Sequence, residues 1–187
     1  MLLKTNADGS AKFSCNNADC ENNLHCFRPT RSNWNSPTGS CQYCDDKSVD
    51  WQRIKRRDLN DFSAMRDELK KEWIRNEFWT RAIDERSVAK LASMTKAQIK
   101  AELVIELSKC VKPAKPFKDG QRVPVDPQKM KGKPFAYAQH ATASCCTRCI
   151  YYWWGFERNT EYSDEQIDFL ANICFAYLHE RGVLPNN

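Results

Sequence analysis

Residues 140–149 read HATASCCTRC and run straight into IYYWW. Within ten residues they set one imidazole, His140, and three thiols, Cys145, Cys146 and Cys149. Thiolate sulfur and neutral imidazole nitrogen are the donors zinc takes at four tetrahedral corners. Cys146-x2-Cys149 has the spacing of a metal knuckle, and Cys145 and Cys149, four apart, share a face if a helix begins here. Adjacent side chains diverge, so one of Cys145 and Cys146 can turn into the core, leaving the fourth corner to Cys174 or His179. Thiolate-rich sites also suit iron–sulfur clusters. No ferredoxin-like spacing is present, however, so zinc is the preferred ion.

A second group lies near the N-terminus. Cys15-x4-Cys20 and Cys41-x2-Cys44 are two close pairs separated by a loop rich in Asn, Ser, Pro and Gly. Each pair offers two ligands from one turn, and together they close the kind of unit called a zinc ribbon or knuckle. His25 and Cys26 are spare ligands, either able to displace Cys20. Such a unit is too small to fold on its own core; zinc supplies folding energy on the order of 10 kcal/mol. Two zinc ions are therefore expected, the first on Cys15, Cys20, Cys41 and Cys44, the second on His140, Cys145, Cys146 and Cys149. Cys110 and Cys174 stand alone on apolar helix faces and read as core.

Ten cysteines fit metal ligation in a reducing compartment better than disulfides. The opening MLLKTNAD has no apolar leader segment, and no apolar run approaches the roughly 20 residues of a membrane span. A cytoplasmic chain with no membrane association is expected. Catalytic patterns are missing: two residues beyond His140 stands Thr142 rather than the Glu of the zinc deaminases, and there is no H-E-x-x-H, P-loop or G-x-G-x-x-G. Three histidines leave few actors for acid–base chemistry, so the sequence leans away from an enzyme. A thiol activated by His140 keeps a metal- or thiol-dependent enzyme as an alternative.

The elements that must position these groups are mostly helical, with a small β contribution. After a zinc-ribbon-like unit over residues 1–57, a helical segment spans 58–111. Phe62, Met65, Leu69 and Trp73 recur at three- and four-residue steps, which predicts one amphipathic helix from 58 to about 83. A short helix covers about 84–92. Thr95 with Gln98 forms a capping box that opens another, carrying Ile99, Leu103, Leu107 and Cys110. Five prolines across 112–134 rule out a helix and predict an irregular basic connector. The last unit, 135–187, is a Cys/His metal-bound helical unit. It ends in a helix begun by the Ser163/Gln166 capping box and closed near Gly182.

Charge is local. Residues 112–133 carry seven basic and two acidic side chains, which accounts for the whole formal charge of +5. Lys129, Lys131 and Lys133 belong to this stretch. In the first unit Arg28, Arg31 and Trp34 lie on the loop between the cysteine pairs, and Arg53, Lys55, Arg56 and Arg57 follow the second pair. Basic side chains interleaved with aromatics grip phosphate and stack on bases. The expected function is a zinc-stabilised nucleic-acid-binding accessory module within a larger protein complex. A protein–protein adaptor or a phage- or defence-system inhibitor is the alternative from a different class. Tyr151, Tyr152, Trp153 and Trp154 read as packing around the metal rather than as a stacking platform.

The string His140-Ala-Thr-Ala-Ser-Cys-Cys-Thr-Arg-Cys-Ile-Tyr-Tyr-Trp resembles the H-A-T-A-x-C-C-x-x-C-x-x-x-W signature of an uncharacterised family of small prokaryotic and phage proteins. The resemblance covers about residues 135–181. Members of that family often carry His after the final Trp, where this chain has Trp154. The resemblance implies a prokaryotic or phage domain and no particular activity.

Overall fold

A computed structural model describes residues 13–30, 32 and 37–185. Eight α-helices are found among them: α1 Trp51–Arg56, α2 Phe62–Leu69, α3 Trp73–Thr80, α4 Glu85–Ala92, α5 Lys96–Cys110, α6 Pro134–Ala141, α7 Thr147–Trp154 and α8 Asp164–Glu180. The β content among the described residues is two isolated bridges, Asp19 with Leu24 and His25 with Glu72. The fold is thus mostly helical, with a Cys/His cluster near the N-terminus and a Cys-rich cluster near the C-terminus. Among its described residues the N-terminal unit is a knuckle with no paired strands.

Local signals act where the sequence predicts them. Thr95 and Gln98 complete a capping box at the start of α5, and Ser163 and Gln166 complete another at α8. α5 packs on α8, α8 on α6, and α6 on both α3 and α4; α7 lies against α1. The apolar stripe Ile99, Leu103, Leu107 and Cys110 is fully buried in this stack.

One expected helix is two. The stripe running through Phe62 and Trp73 is continuous, yet the chain breaks between Leu69 and Trp73, where Glu72 is extended (φ −90°, ψ 127°). The cause is long-range. His25 donates its N–H to the Lys71 carbonyl at 2.8 Å and accepts from the Trp73 N–H at 2.9 Å. A continuous helix would have used those backbone groups itself, so the N-terminal knuckle docks into the break.

The connector is irregular, apart from a 3-10 turn at Pro127–Lys129, but it is packed: Val123 and Met130 are buried. Buried side chains from the knuckle, α1–α5, the connector and α6–α8 form one continuous core. No helix of the described residues is long and apolar enough to cross a membrane.

Candidate metal centres

The first group gathers Cys20, His25, Cys41 and Cys44, whose ligand atoms all lie within 4.8 Å of one another. Cys20 Sγ and Cys41 Sγ are 3.8 Å apart. That matches the edge of about 3.8 Å for a tetrahedron with Zn–S bonds of about 2.3 Å. Cys44 Sγ and His25 Nδ1 are 3.3 Å apart, close to the mixed S–N edge. The other ring nitrogen of His25, Nε2, lies 3.6 Å from Asp46 Oδ1.

The turn that delivers Cys41 and Cys44 is a knuckle in detail. Asp45 takes the left-handed conformation (φ 57°) just after Cys44, a conformation that Asp tolerates better than most residues. Its N–H bonds the Cys41 carbonyl at 3.1 Å. Burial would raise the Cys41 thiol, but backbone N–H groups of Cys26, Tyr43 and Cys44 hold it below its ordinary value. Burial and the neighbouring thiols push Cys20 up to about 12.

The second group is Cys145, Cys146 and Cys149, all buried and mutually within 4.8 Å. Cys146 is the N-cap of α7 and accepts from the Cys149 N–H at 3.4 Å. Cys149 is held well below its ordinary value by hydrogen bonds from Cys145, Cys146 and Cys15 and by Arg75, against its burial. Arg75 Nη2 stands 3.0 Å from Cys149 Sγ.

Arg75 is fully buried, and its partners explain how. Nε donates to Glu72 Oε2 at 3.0 Å and Nη1 to the His140 carbonyl at 2.6 Å. Glu72 is equally buried and accepts from Tyr152 Oη and Trp153 Nε1, each at 2.8 Å. Burial pushes the Glu72 carboxyl up, while Arg75, Trp153 and Tyr152 hold it back. The aromatic wall after the thiols thus closes the site from behind, as packing with polar tips satisfied.

His140 belongs to that support. Its ring stacks on Phe78 with centroids 4.9 Å apart, and Nε2 lies 3.0 Å from the Pro124 carbonyl. It stands outside the set of mutually close thiols. The HATA segment is the C-terminal end of α6. The orphan carbonyls of His140, Ala141 and Thr142 are capped by Arg75, Trp79 and Trp154 respectively, which answers the need every helix end has for partners. Ala143 then takes φ 57°, and Ser144 donates back to the Gln139 carbonyl. This turn presents Cys145 and Cys146.

Burial and the Arg75 charge push His140 down to about 4, against roughly 6.5 in an unfolded chain. Between those values the unfolded state binds a proton that the folded state lacks. Stability therefore falls as pH drops from about 6.5 to 4, by roughly 3 kcal/mol for this group. Urea unfolding of wild type and His140→Gln across that window checks it. The variant should lose less stability than wild type by that amount, and parallel curves would contradict it.

Other predicted site residues fall apart from one another. Cys15 is not with Cys20, Cys41 and Cys44; its thiol hydrogen-bonds Cys149. Cys174 Sγ meets Thr142 Oγ1 at 3.3 Å, and His179 is exposed at the end of α8. Arg28 donates to Asn16 Oδ1 at 2.8 Å, beside the second thiol group. Arg53 pairs with Asp61 at 2.7 Å, and Arg56 reaches the same carboxylate at 3.9 Å. Arg57 donates to the Trp154 carbonyl and lies 5.0 Å from the Phe156 ring centroid. Lys55, Lys129, Lys131 and Lys133 are exposed. Arg31 and Trp34 lie outside the described residues.

Sequence reasoning missed Glu72 and Arg75. A signal was available: Glu72 and Arg75, three residues apart, are set among Trp73, Ile74, Phe78 and Trp79, which α3 buries, and charges drawn into a core need each other as partners.

Fold and site together define a helical protein with two Cys-rich knuckle-like clusters set in one core. The chain belongs to the family described as Domain of unknown function (DUF4186), which matches residues 63–179. That stretch includes Glu72, Arg75, Cys145, Cys146 and Cys149, and leaves the whole first group and Cys15 outside. No solved structure matches the chain.

Proposed function

We propose that this protein is a two-zinc module without catalytic activity that binds nucleic acid as an accessory part of a larger assembly. The observation that carries the metal reading is the first group: four donor atoms with edges of 3.8 and 3.3 Å, a carboxylate behind the histidine, and N–H groups on Cys41. In this reading Cys20, His25, Cys41 and Cys44 hold one zinc. Cys145, Cys146 and Cys149 hold most of a second, with Arg75 offsetting the excess thiolate charge. Zinc would supply folding energy and, at the first group, a closed shell with no open position.

The nucleic-acid reading draws its support from the connector. Arg28, Arg53, Arg56 and Arg57 are bound up in intramolecular contacts, whereas Lys129, Lys131 and Lys133 are exposed and make no ion pair among the described residues. Contact with phosphate would come mainly from them. A labelled single-stranded oligonucleotide should bind at about 50 mM salt and be released steeply as salt rises, since each neutralised phosphate frees condensed counterions. Changing the three lysines to alanine should weaken binding to any sequence and lower the salt slope by about two to three. Equal binding by the variant, or none by wild type, would remove this role.

One observation favours a second reading, a thiol-dependent enzyme. A cavity of about 280 Å3 opens onto the Cys145 group and is also lined by Arg28, Arg148 and His140. Iodoacetamide separates the two: an enzyme nucleophile at Cys149 is alkylated in the native protein at neutral pH, while a metal-held Cys149 is protected until a chelator is added.

A further inference from the structure

We infer that Cys15 is the fourth ligand of the second metal centre, so that the metal ties the N-terminal knuckle to the helical core. The inference rests on the reading of Cys145, Cys146 and Cys149 as a metal site, and adds the corner those three leave open. A tetrahedral ion needs four donors. Cys145, Cys146 and Cys149 offer three within 4.8 Å of one another.

Around them the candidates for a fourth are His140, Cys174, His179 and Cys15. His140 lines the cavity and its buried Nδ1 has no partner, but Nε2 is turned to the Pro124 carbonyl and the ring is fixed by stacking on Phe78, outside the mutually close set. Cys174 is engaged with Thr142, and His179 is exposed. Cys15 lines the same cavity and interacts directly with one of the trio, Cys149. It lies outside the mutually close set, and an ion would draw it in.

Its backbone is held there by independent contacts. Cys26 Sγ donates to the Cys15 carbonyl at 3.3 Å, and Tyr43 Oη donates to the Asn16 carbonyl at 2.8 Å. Arg28 bonds the Asn16 side chain. Gln42 in turn steadies Cys26 through a 2.8 Å contact to its sulfur. This lattice serves to place residues 15 and 16, and the side chain it presents to the thiols is Cys15.

The consequence is an interlock. Cys15 and Cys20 are five residues apart yet serve different ions, so two metals grip one short strap. The family stretch, residues 63–179, then holds only three of the second centre's ligands, and its metal depends on a segment outside it.

The test uses the full chain loaded with zinc or with cadmium-113. Wild type should hold two ions and give two cadmium resonances, one for an all-sulfur site and one for three sulfurs and a nitrogen. Cys15→Ser should hold one and lose the all-sulfur resonance alone; Cys110→Ser should keep both. Two ions and an unchanged all-sulfur resonance in Cys15→Ser overturn the inference alone. A wild type with only the mixed site overturns it and leaves the first centre standing. A wild type with no metal overturns it together with the proposed function. Should Cys15→Ser fail to fold, staged chelation of wild type decides. Cys15 should become open to iodoacetamide in step with Cys145, Cys146 and Cys149, and its alkylation while those three stay protected would overturn the inference.

Discussion

Arg75→Met is expected to cost about 3–5 kcal/mol of folding stability in the zinc-loaded protein, and to weaken its hold on the second ion about 10–100-fold. The guanidinium is fully buried and donates to five partners: Glu72, the His140 carbonyl, Cys145, Cys149 and the Tyr152 hydroxyl. Removing it leaves a carboxylate in the core with only Tyr152 and Trp153 as donors. It also uncaps a helix end and takes a positive charge from a thiolate. The diagnostic comparison is a double-mutant cycle in denaturant. Glu72→Gln with Arg75→Met should cost clearly less than the two single changes added together, because the second change relieves the charge that the first strands. A loss within about 0.5 kcal/mol for Arg75→Met would mean that the pair behaves like a surface ion pair, and the electrostatic account of the second centre would fail.

Cys41→Ser carries the second large effect. Cys41 is fully buried, 3.8 Å from Cys20, and its sulfur collects the N–H bonds of the knuckle. The segment around it buries few apolar side chains, chiefly Ala18, Phe27 and Val49. Without the ion nothing comparable replaces a binding energy on the order of 10 kcal/mol. Local unfolding of residues 15–49 is therefore expected, with loss of one zinc per chain. Hydrogen exchange reads this directly. Amides of the knuckle, that of His25 among them, should lose protection together with the Trp73 N–H that bonds the His25 carbonyl, while α5 and α8 keep theirs. Unchanged protection across 15–49 would show that the knuckle stands on packing alone.

Much of this architecture was legible in the sequence because its signals are local. Capping boxes at Thr95 and Ser163 start helices wherever they occur, and both do so here. Cys41-x2-Cys44 and Cys146-x2-Cys149 act through single turns, and both turns form. What escaped depends on residues far apart. The helix predicted from 58 to 83 breaks at Glu72 because His25, some 47 positions earlier, takes its backbone bonds. No periodicity in 58–83 contains that fact. Cys15 pairs by spacing with Cys20, yet the fold turns it toward Cys149. His140 looked like a ligand through its nearness to the thiols in sequence. The end of α6 instead directs its ring against Phe78 and Pro124. The arginines after the second knuckle read as a phosphate-binding run, but Asp61 and the Trp154 carbonyl occupy three of them. In each case the reading came from neighbouring sequence, and the fold decided which partners the side chain meets.

In the proposed reading the two centres would divide the work of holding the chain together. The first would make a small, polar segment fold. The second would join that segment to a core whose apolar contacts are already extensive, from Trp153 and Trp154 through to Leu170 and Tyr177. Metal loss at the first should therefore unfold the knuckle locally, and loss at the second should loosen its attachment without melting α5 or α8.

The most direct measurement is the metal content of the purified full-length protein, by elemental analysis alongside a thiol titration before and after chelation. Two zinc ions per chain, with the seven donor thiols shielded until the chelator is added, is the result this account requires. A folded protein free of metal, whose clustered cysteines react as ordinary thiols, would contradict it.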